Sequence, residues 1–377
     1  MAENSESSRT ESSRTKGATA TAGETWDNPM GTDGFEFIEY AAPDPQALGA
    51  LFERMGLAKV ARHRSKDVTL YRQGDIHFVI NAEPNSFAQS FARVHGPSIC
   101  AIGFRVRDAA ECYRSCINRG AWGVEGKVGP MELNIPSIKG VGDSLIYLVD
   151  RYGENGTIYD VDFVAVAGAD LRRPDVQPAL TRVDHLTHNV HRGRLAEWAE
   201  FYERLFNFRE VRFFNIEGRH TGLKSKAMTS PCGKIKIPIN ESSDDQSQIQ
   251  EYLDAYRGEG IQHVALSARD IYATVEKLRE SGVAFLDTPD TYYEKVDERI
   301  GEHGEDVSRL ERSRILIDGA PSRGEGLLLQ IFTEPVIGPI FFEIIQRKGN
   351  EGFGEGNFQA LFESMEEDQI RRGTLGS

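Results

Sequence analysis

The stretch VDHLTHNVHRGRLAEWAEFYERLFNFREV (183–211) predicts a strand, a loop, a helix and a further strand. An earlier stretch, FEFIEYAAPDPQALGALFERMGLAKV (35–60), has the same order, and its FER at 52–54 matches YER at 202–204. ICAIGFRVRDAAECYRSCINRGAWGV (99–124) and IQHVALSARDIYATVEKLRESGVAFL (261–286) form a second matched pair. Each member has a strand before an Arg-Asp pair, and the aspartate (Asp108 or Asp270) is a candidate helix N-cap. The sequence therefore predicts two halves built from the same unit.

Three short apolar runs in the second half each carry one side chain that can bind a metal. They are VDHLTHNV (183–190) with His185, GIQHVAL (260–266) with His263 and PIFFEII (339–345) with Glu343. Strands of this composition bury apolar groups, so an imidazole or carboxylate within them needs a partner. Two imidazoles and a carboxylate on separate strands form a facial ligand set that suits non-haem Fe(II). A hydrogen-bonded core side chain is the alternative for each residue, and the spacing alone leaves both open.

The internal repeat tests the metal hypothesis. Aligning the two Arg-Asp pairs places Ala101 at the position of His263, and aligning the first strands places Phe37 at or near His185. The third position falls in TIYDVDFV (157–164), where the register leaves Asp160 and Asp162 open. We therefore expect a first half that binds no metal and a second half that carries the chemistry.

Composition excludes several classes of function. Lys plus Arg is 44 and Asp plus Glu is 58 in 377 residues, and the net charge of −14 argues against nucleic acid or an anionic membrane as partner. The absence of a long apolar run predicts that nothing spans a membrane. Four cysteines without a CxxC pair, and no signal peptide, favour reduced thiols and a cytoplasmic protein.

Local composition also predicts the domain boundaries. Residues 1–32 are rich in Ser, Thr, Glu and Gly and are predicted to be a disordered tail. A first domain is expected over 33–166 and a linker rich in Pro, Ala and charge over 167–180. The second, catalytic domain is expected over 181–377.

The motifs of the second half resemble those of one family, in order, from about 180 to 374. They include FYERLFNFREVRFFNIEG, GLKSKAMTSPCGKIKIPINE, SQIQEYL, GEGIQHVAL, LLLQIFTEP and GFGEGNFQALFESMEEDQIRRGTL. These are similar to the 4-hydroxyphenylpyruvate dioxygenase family, whereas the first half resembles it less. The resemblance implies an α+β fold of two vicinal oxygen chelate (glyoxalase/bleomycin-resistance-like) domains. In each domain, paired βαβββ modules form an open curved sheet around a metal site.

The same resemblance implies a reaction and a ligand set. Fe(II) held by His185, His263 and Glu343 is expected to support conversion of 4-hydroxyphenylpyruvate and dioxygen to homogentisate and carbon dioxide. This is a step of tyrosine and phenylalanine catabolism, and members of the family are homodimers or homotetramers.

Several further residues match positions around the family's substrate pocket. By resemblance, Ser225 and Asn240 line the pocket, Gln248, Gln262 and Gln330 orient the substrate, and Phe332, Phe353 and Phe358 form its aromatic wall. Ordinary surface glutamines and core phenylalanines are the alternatives. Gln262 and Gln330 lie in apolar strands, where an amide must find hydrogen bonds. Regular alternation, however, points Gln262 away from His263.

The last segment predicts an amphipathic helix. Phe358, Leu361, Phe362 and Met365 follow the i, i+3, i+4, i+7 pattern, and the glycines of GFGEGN before them form a candidate hinge. A lid over the site is expected from the resemblance, with simple core packing as the alternative.

Other enzymatic functions remain open from the sequence. Hydroxymandelate synthase shares the substrate, iron and ligands, although Phe358 favours the dioxygenase, since the synthase tends to have a smaller aliphatic residue there. A glyoxalase-type isomerase or a ring-cleaving dioxygenase could use the same fold. A binding protein without activity is disfavoured because the three ligand types are intact. His188 is expected to point to the other face and either to be structural or to support a ligand from behind.

Overall fold

Two mixed β-sheets, one in each half of the chain, form the frame of the molecule. A computed structural model describes residues 26–126, 129, 131–171, 177–217, 222–244 and 247–361. Within those ranges, no helix combines the length and the apolarity that crossing a bilayer requires.

The first sheet contains the strands up to residue 165. They are β1 (Phe35–Ala41), β2 (Ala58–His63), β3 (Val68–Gln73), β4 (Ile76–Asn81), β5 (Ser98–Arg105), β6 (Gly123–Val124), β7 (Ser137–Lys139), β8 (Leu145–Val149) and β9 (Phe163–Ala165). The helices of this half are α1 (Pro45–Arg54), α2 (Phe87–His95), α3 (Ala109–Asn118) and α4 (Tyr159–Asp162). The strand order is β6-β7-β8-β5-β1-β4-β3-β2-β9.

The second sheet begins at residue 180. Its strands are β10 (Leu180–Val190), β11 (Arg209–Glu217), β12 (Gly222–Thr229), β13 (Lys236–Ser242), β14 (Gly260–Ala268), β15 (Leu316–Gly319), β16 (Leu327–Phe332) and β17 (Phe341–Lys348). The helices are α5 (Leu195–Phe206), α6 (Gln248–Tyr256), α7 (Ile271–Glu280), α8 (Asp290–Glu294), α9 (Val296–Arg299) and α10 (Val307–Ser313), and a last helix covers 355–361. The strand order is β11-β12-β13-β10-β14-β17-β16-β15.

The predicted internal repeat is confirmed at the level of strand pairing. In the first sheet, β1 pairs antiparallel with β5 and parallel with β4, and β5 pairs parallel with β8. In the second, β10 pairs antiparallel with β14 and parallel with β13, and β14 pairs parallel with β17. Asp108 and Asp270 accept backbone N–H groups at the start of α3 and α7, as predicted. The α+β, two-domain fold class predicted from the sequence is therefore confirmed.

The register identifies which residues occupy the same place in the two sheets. Phe37 pairs with Gly103, which pairs with Tyr147 on β8. His185 pairs with Ala265, which pairs with Glu343 on β17. Phe37 is therefore the counterpart of His185, as expected, and Tyr147 is the counterpart of Glu343.

The prediction that the counterpart of Glu343 lies within 157–164 is wrong. Asp160 and Asp162 lie on the short helix α4, which precedes the edge strand β9. The sequence of β8, LIYLV, contains no carboxylate and so gives no signal that this strand matches the one carrying Glu343.

Hydrophobic packing differs between the two sheets. A large core joins both halves, with Phe104 against Phe206 and Phe78 stacked on Phe342. The face of the first sheet that carries Phe37 is filled by a second apolar cluster including Leu70. In the described part of the second sheet, the corresponding cluster is small and consists of Ala265, Leu328 and Ile345. This face therefore keeps room for polar groups.

The chain ends require one correction. Residues 1–25 and 362–377, including Phe362 and Met365, lie outside the described residues, as do 172–176 of the expected linker. Residues 26–32 do not belong to a loose tail: Trp26 Nε1 donates to the carbonyl of Asn207 (2.7 Å), and Met30 is buried in the core. Burial of Met30 and partial burial of Trp26 outweigh the polar composition around them.

Candidate metal centre

Three adjacent parts of the second sheet bring the predicted ligands together. His185 on β10, His263 on β14 and Glu343 on β17 each offer one ligand atom, and these atoms lie within 4.8 Å of one another. Glu343 Oε2 is 3.2 Å from His185 Nε2 and 3.5 Å from His263 Nε2. All three side chains are buried. Two nitrogens and one oxygen converging from neighbouring strands can occupy one face of a metal ion and leave further positions open.

The charge balance of this cluster fits a cation. Glu343 is 2% exposed, and its Oε1 has no hydrogen-bond partner among the described residues. Burial alone would raise the pKa of Glu343, but the two imidazoles outweigh it and hold the pKa at about 2. A buried carboxylate with a free oxygen is costly unless a positive group pairs with it. A metal ion between the three side chains meets that need.

A β-bulge precedes each ligand histidine. On β10, Val183 pairs with Leu266 and His185 pairs with the adjacent Ala265, so Asp184 between them has no paired residue on β14. On β14, His263 pairs with Thr187 and Ile261 pairs with His188, so Gln262 has no paired residue on β10. A bulged residue escapes strict alternation, so its side chain can turn toward its neighbour. This explains how Gln262 contacts His263, which regular alternation would prevent.

Both bulged side chains accept a hydrogen bond from the adjacent imidazole. His185 Nδ1 donates to Asp184 Oδ1 (2.9 Å), and His263 Nδ1 donates to Gln262 Oε1 (3.0 Å). A proton on Nδ1 leaves the lone pair of Nε2 free, so each ring presents its Nε2 to the metal position.

Electrostatics separate the two imidazoles. For His185, burial would lower the pKa, but Glu343 and Asp184 together raise it above its usual value. For His263, burial lowers the pKa, and the attraction of Glu343 does not compensate fully. A proton therefore competes with a metal more strongly at His185 than at His263.

A row of polar side chains extends from the ligands along the sheet. Asn189, two alternations beyond His185, pairs in register with Asn240 on β13, which pairs with Ser225 on β12. Asn240 Nδ2 lies 3.5 Å from Asn189 Oδ1. Asn189 is fully buried, and its Nδ2 finds no partner in the ranges that the structure describes. Unmet amide groups of this kind suit a polar substrate.

Aromatic rings and one amide complete the surroundings. Phe353 packs edge-on against His185 with ring centroids 5.4 Å apart, and Phe332 lies 6.3 Å from His263. Phe341 stacks on His263 at 4.8 Å. Gln330 on β16 is 1% exposed, and its Oε1 is unpaired within the described chain. These groups border the ligands with both apolar surface and an available hydrogen-bond acceptor.

For two predicted site residues the structure gives a position in the fold but no contact with the ligands that any described bond or ring pair records. Gln248 begins α6 and is exposed, so the structure does not bring its side chain into the buried cluster. Phe358 lies in the helix at 355–361 and is half-buried. Both roles stay predictions.

Several residues around the ligands were not identified from the sequence. Asp184 and Phe341 contact the ligand histidines, Asn189 continues their row, and Arg347 donates to Asp184. Asn189 could have been found, because it shares the alternation of His185 and Thr187. Asp184 and Arg347 could not, because their pairing depends on a bulge and on strands far apart in sequence.

Comparisons with known proteins match both halves. Residues 26–164 match the family described as hydroxyphenylpyruvate dioxygenase, N-terminal, and residues 182–297 match the glyoxalase/bleomycin resistance protein/dioxygenase superfamily. Hemolysin VllY of Vibrio vulnificus is 61% identical, with 93% of this chain and 98% of that protein covered. The 4-hydroxyphenylpyruvate dioxygenase of Pseudomonas aeruginosa is 58% identical, with 92% and 97% covered. A mutant of 4-hydroxymandelate synthase from Streptomyces coelicolor has a similar structure, with a TM-score of 0.77 and 26% identity over 90% of this chain and 100% of that one.

Proposed function

The chain belongs to the 4-hydroxyphenylpyruvate dioxygenase family, and we propose that it converts 4-hydroxyphenylpyruvate and dioxygen to homogentisate and carbon dioxide. The observation that carries this proposal is the buried set of His185, His263 and Glu343 in a chain of that family. We propose Fe(II) as the metal, because two imidazoles and one carboxylate with open positions suit this ion in oxygenases. Bound Fe(II) would supply the redox chemistry of oxygen activation and a chelation site for an α-keto acid.

The residues around the ligands would hold the substrate and keep water out. Gln330, Asn189, Asn240 and Ser225 offer amide and hydroxyl groups at the buried face, and unpaired atoms on Gln330 and Asn189 can meet polar groups of the substrate. The rings of Phe332 and Phe353 would border the aromatic ring of the substrate and exclude solvent from the reacting atoms. Gln248, Gln262 and Phe358 belong to the same proposal, Gln262 through its contact with His263.

We also propose how this activity is distributed in the chain. The catalytic half spans 181–377, and the half at 33–166 is a scaffold without metal, joined by the linker 167–180. A cytoplasmic homodimer or homotetramer is consistent with the family, and size-exclusion chromatography with light scattering would measure the assembly.

Hydroxymandelate synthase is the competing function. It is disfavoured because relatives named as dioxygenases are 51–58% identical to this chain, whereas the similar synthase structure is 26% identical. The aromatic Phe358 points in the same direction.

Oxygen uptake with product identification tests the proposal. Purified protein reconstituted with Fe(II) is expected to consume oxygen on addition of 4-hydroxyphenylpyruvate and to yield homogentisate by chromatography and mass. Hydroxymandelate as product would replace the dioxygenase by the synthase. No uptake by a folded protein with bound Fe(II) would contradict both functions.

A further inference from the structure

Arg347 connects the ligand cluster to the segment that follows the last strand. It lies on β17 and shares the alternation of Glu343. Its side chain is 8% exposed. A buried guanidinium is costly unless its donors are satisfied, so the partners of Arg347 define what it does.

One end of the guanidinium holds Asp184. Nε donates to Asp184 Oδ2 (2.9 Å) and Nη2 donates to Asp184 Oδ1 (2.8 Å). Burial would raise the pKa of Asp184, but Arg347 and His185 hold it well below its usual range. The same carboxylate accepts from Ser267 and from His185 Nδ1. The bidentate pair therefore fixes the acceptor that orients His185.

The other end holds the loop after β17. Nη1 donates to the carbonyl oxygens of Asn350 (3.0 Å) and Gly352 (2.6 Å). The Asn350 side chain accepts from the Gly352 N–H (2.7 Å), which tightens the same turn. The next residue, Phe353, places its ring against His185 and 5.8 Å from the Arg347 guanidinium. The loop thus touches the ligand histidine directly and is tied to it through Arg347.

We propose that Arg347 is a positioning residue that couples metal binding at His185 to docking of the segment 350–361. A metal on Nε2 fixes the His185 ring and strengthens its Nδ1–H bond to Asp184. A fixed Asp184 holds the planar fork of Arg347, which in turn holds the two loop carbonyls. By linkage, a docked segment strengthens metal binding to the same extent that metal strengthens docking. This inference rests on the proposed metal site.

The segment also has an anchor that does not involve Arg347. Tyr292 OH donates to Asn357 Oδ1 (2.6 Å), and the Gly356 N–H donates to Asp318 Oδ2 (2.9 Å). The helix at 355–361 can therefore stay attached when Arg347 is changed. Only the effect of metal on the docking of this segment is expected to disappear.

Arg347→Lys separates coupling from charge, because lysine keeps the charge but cannot donate to Asp184 and both carbonyls in one plane. The probe is Co(II) alone, titrated into the full chain, with amide hydrogen exchange measured for peptides covering 350–361. In the wild type, Co(II) is expected to slow exchange in this segment. In Arg347→Lys, we expect Co(II) affinity to fall about 10–100-fold and saturating Co(II) to give no extra protection.

Arg194→Lys is the matched control. Arg194 pairs with Glu197 and Glu259, and neither contacts the ligands, so affinity and protection should equal those of the wild type. If Arg347→Lys does not fold, Asp184→Asn replaces it. That variant keeps Arg347 itself but offers one acceptor oxygen instead of two, and it is expected to lose metal-dependent protection.

The outcomes distinguish the two levels of the proposal. A folded wild type that binds no Co(II) contradicts the proposed metal site itself. A wild type that binds Co(II), with Arg347→Lys equal to it in affinity and protection, overturns the coupling alone. Weaker binding with full protection at saturating Co(II) also overturns the coupling, because Arg347 would then act on the metal without the segment.

Discussion

The two sheets share the pairing of their central strands and two register shifts, yet one carries the candidate metal ligands and the other an apolar core. In the first sheet, the pairing of β1 with β5 skips Glu36 and Cys100, at the places where the second sheet skips Asp184 and Gln262. The bulges therefore belong to the fold, and they do not by themselves decide whether a metal site follows.

The support around the first bulge is also similar in the two sheets. Glu36 is 2% exposed and accepts from Arg105 Nε, as Asp184 accepts from Arg347. In the first sheet, however, the neighbouring position is Phe37, whose ring packs against Tyr147 at 5.7 Å. A buried carboxylate–arginine pair therefore occurs both in the sheet with the apolar core and in the sheet with the candidate ligands. The difference between scaffold and site lies in three side chains and the space around them.

Removing a ligand should have the largest effect. Alanine at His185, His263 or Glu343 is expected to lower turnover by more than the about 100-fold typical of losing a supporting residue, because the metal loses a direct ligand. Metal content by emission spectroscopy and oxygen uptake measure this. Tyr147→Phe, at the counterpart of Glu343, should keep both, and equal losses would show that the two sheets share the function.

Removing the aromatic filling of the first sheet should instead cost stability. Phe37→Ala is expected to lower the free energy of unfolding by about 3–5 kcal/mol, since a buried ring leaves a cavity. Its counterpart, His185→Ala, should cost less in the metal-free protein, because it removes no ring from that apolar cluster, and Arg347 and His263 still pair with Asp184 and Glu343. Urea unfolding of both variants without metal compares them. A larger loss for His185→Ala would reverse the distinction between scaffold and site.

Acid should act on the second sheet through His188. This side chain is fully buried, and its Nε2 lies 2.7 Å from Tyr202 OH. Burial lowers the pKa of His188 to about 3. In the unfolded chain His188 therefore binds a proton below about pH 6.5, whereas in the folded chain it stays neutral. The free energy of unfolding falls as the pH drops toward 3.

The expected loss from His188 between pH 6.5 and 5 is about 1.5–2 kcal/mol. His188→Gln should flatten this part of the pH profile of unfolding, measured without metal. The counterpart Tyr40 carries a pKa that burial raises well above its usual value, so Tyr40→Phe should leave the acid slope intact. An unchanged slope in His188→Gln would contradict the assignment.

The smallest effect is expected at the second bulge. Gln262→Ala removes the acceptor for His263 Nδ1 and should weaken metal binding about tenfold. Cys100→Ala, at the matching bulge of the first sheet, should not change it, since Cys100 donates to the carbonyl of Glu39. Co(II) titration of the two variants gives the comparison, and equal affinities would remove Gln262 from the support of the site.

The sequence alone determined the repeated strand–helix plan and the ligand types. Both follow from local signals: alternation and helical periodicity define the elements, and an imidazole or carboxylate in an apolar run needs a partner. Because the repeat aligns the halves, Phe37 and Ala101 could be identified as counterparts of the two histidines. The family motifs then narrowed the chemistry to one substrate.

Tertiary structure decided what surrounds the ligands. The bulges at Asp184 and Gln262 exist only in the pairing of β10 with β14, and a bulge reverses the face that alternation assigns. The bond from Arg347 to Asp184 and the match of Tyr147 with Glu343 join strands distant in sequence, where no local pattern reports the register. The type of each residue is given by the sequence, whereas its partners depend on the register between strands that are distant in sequence.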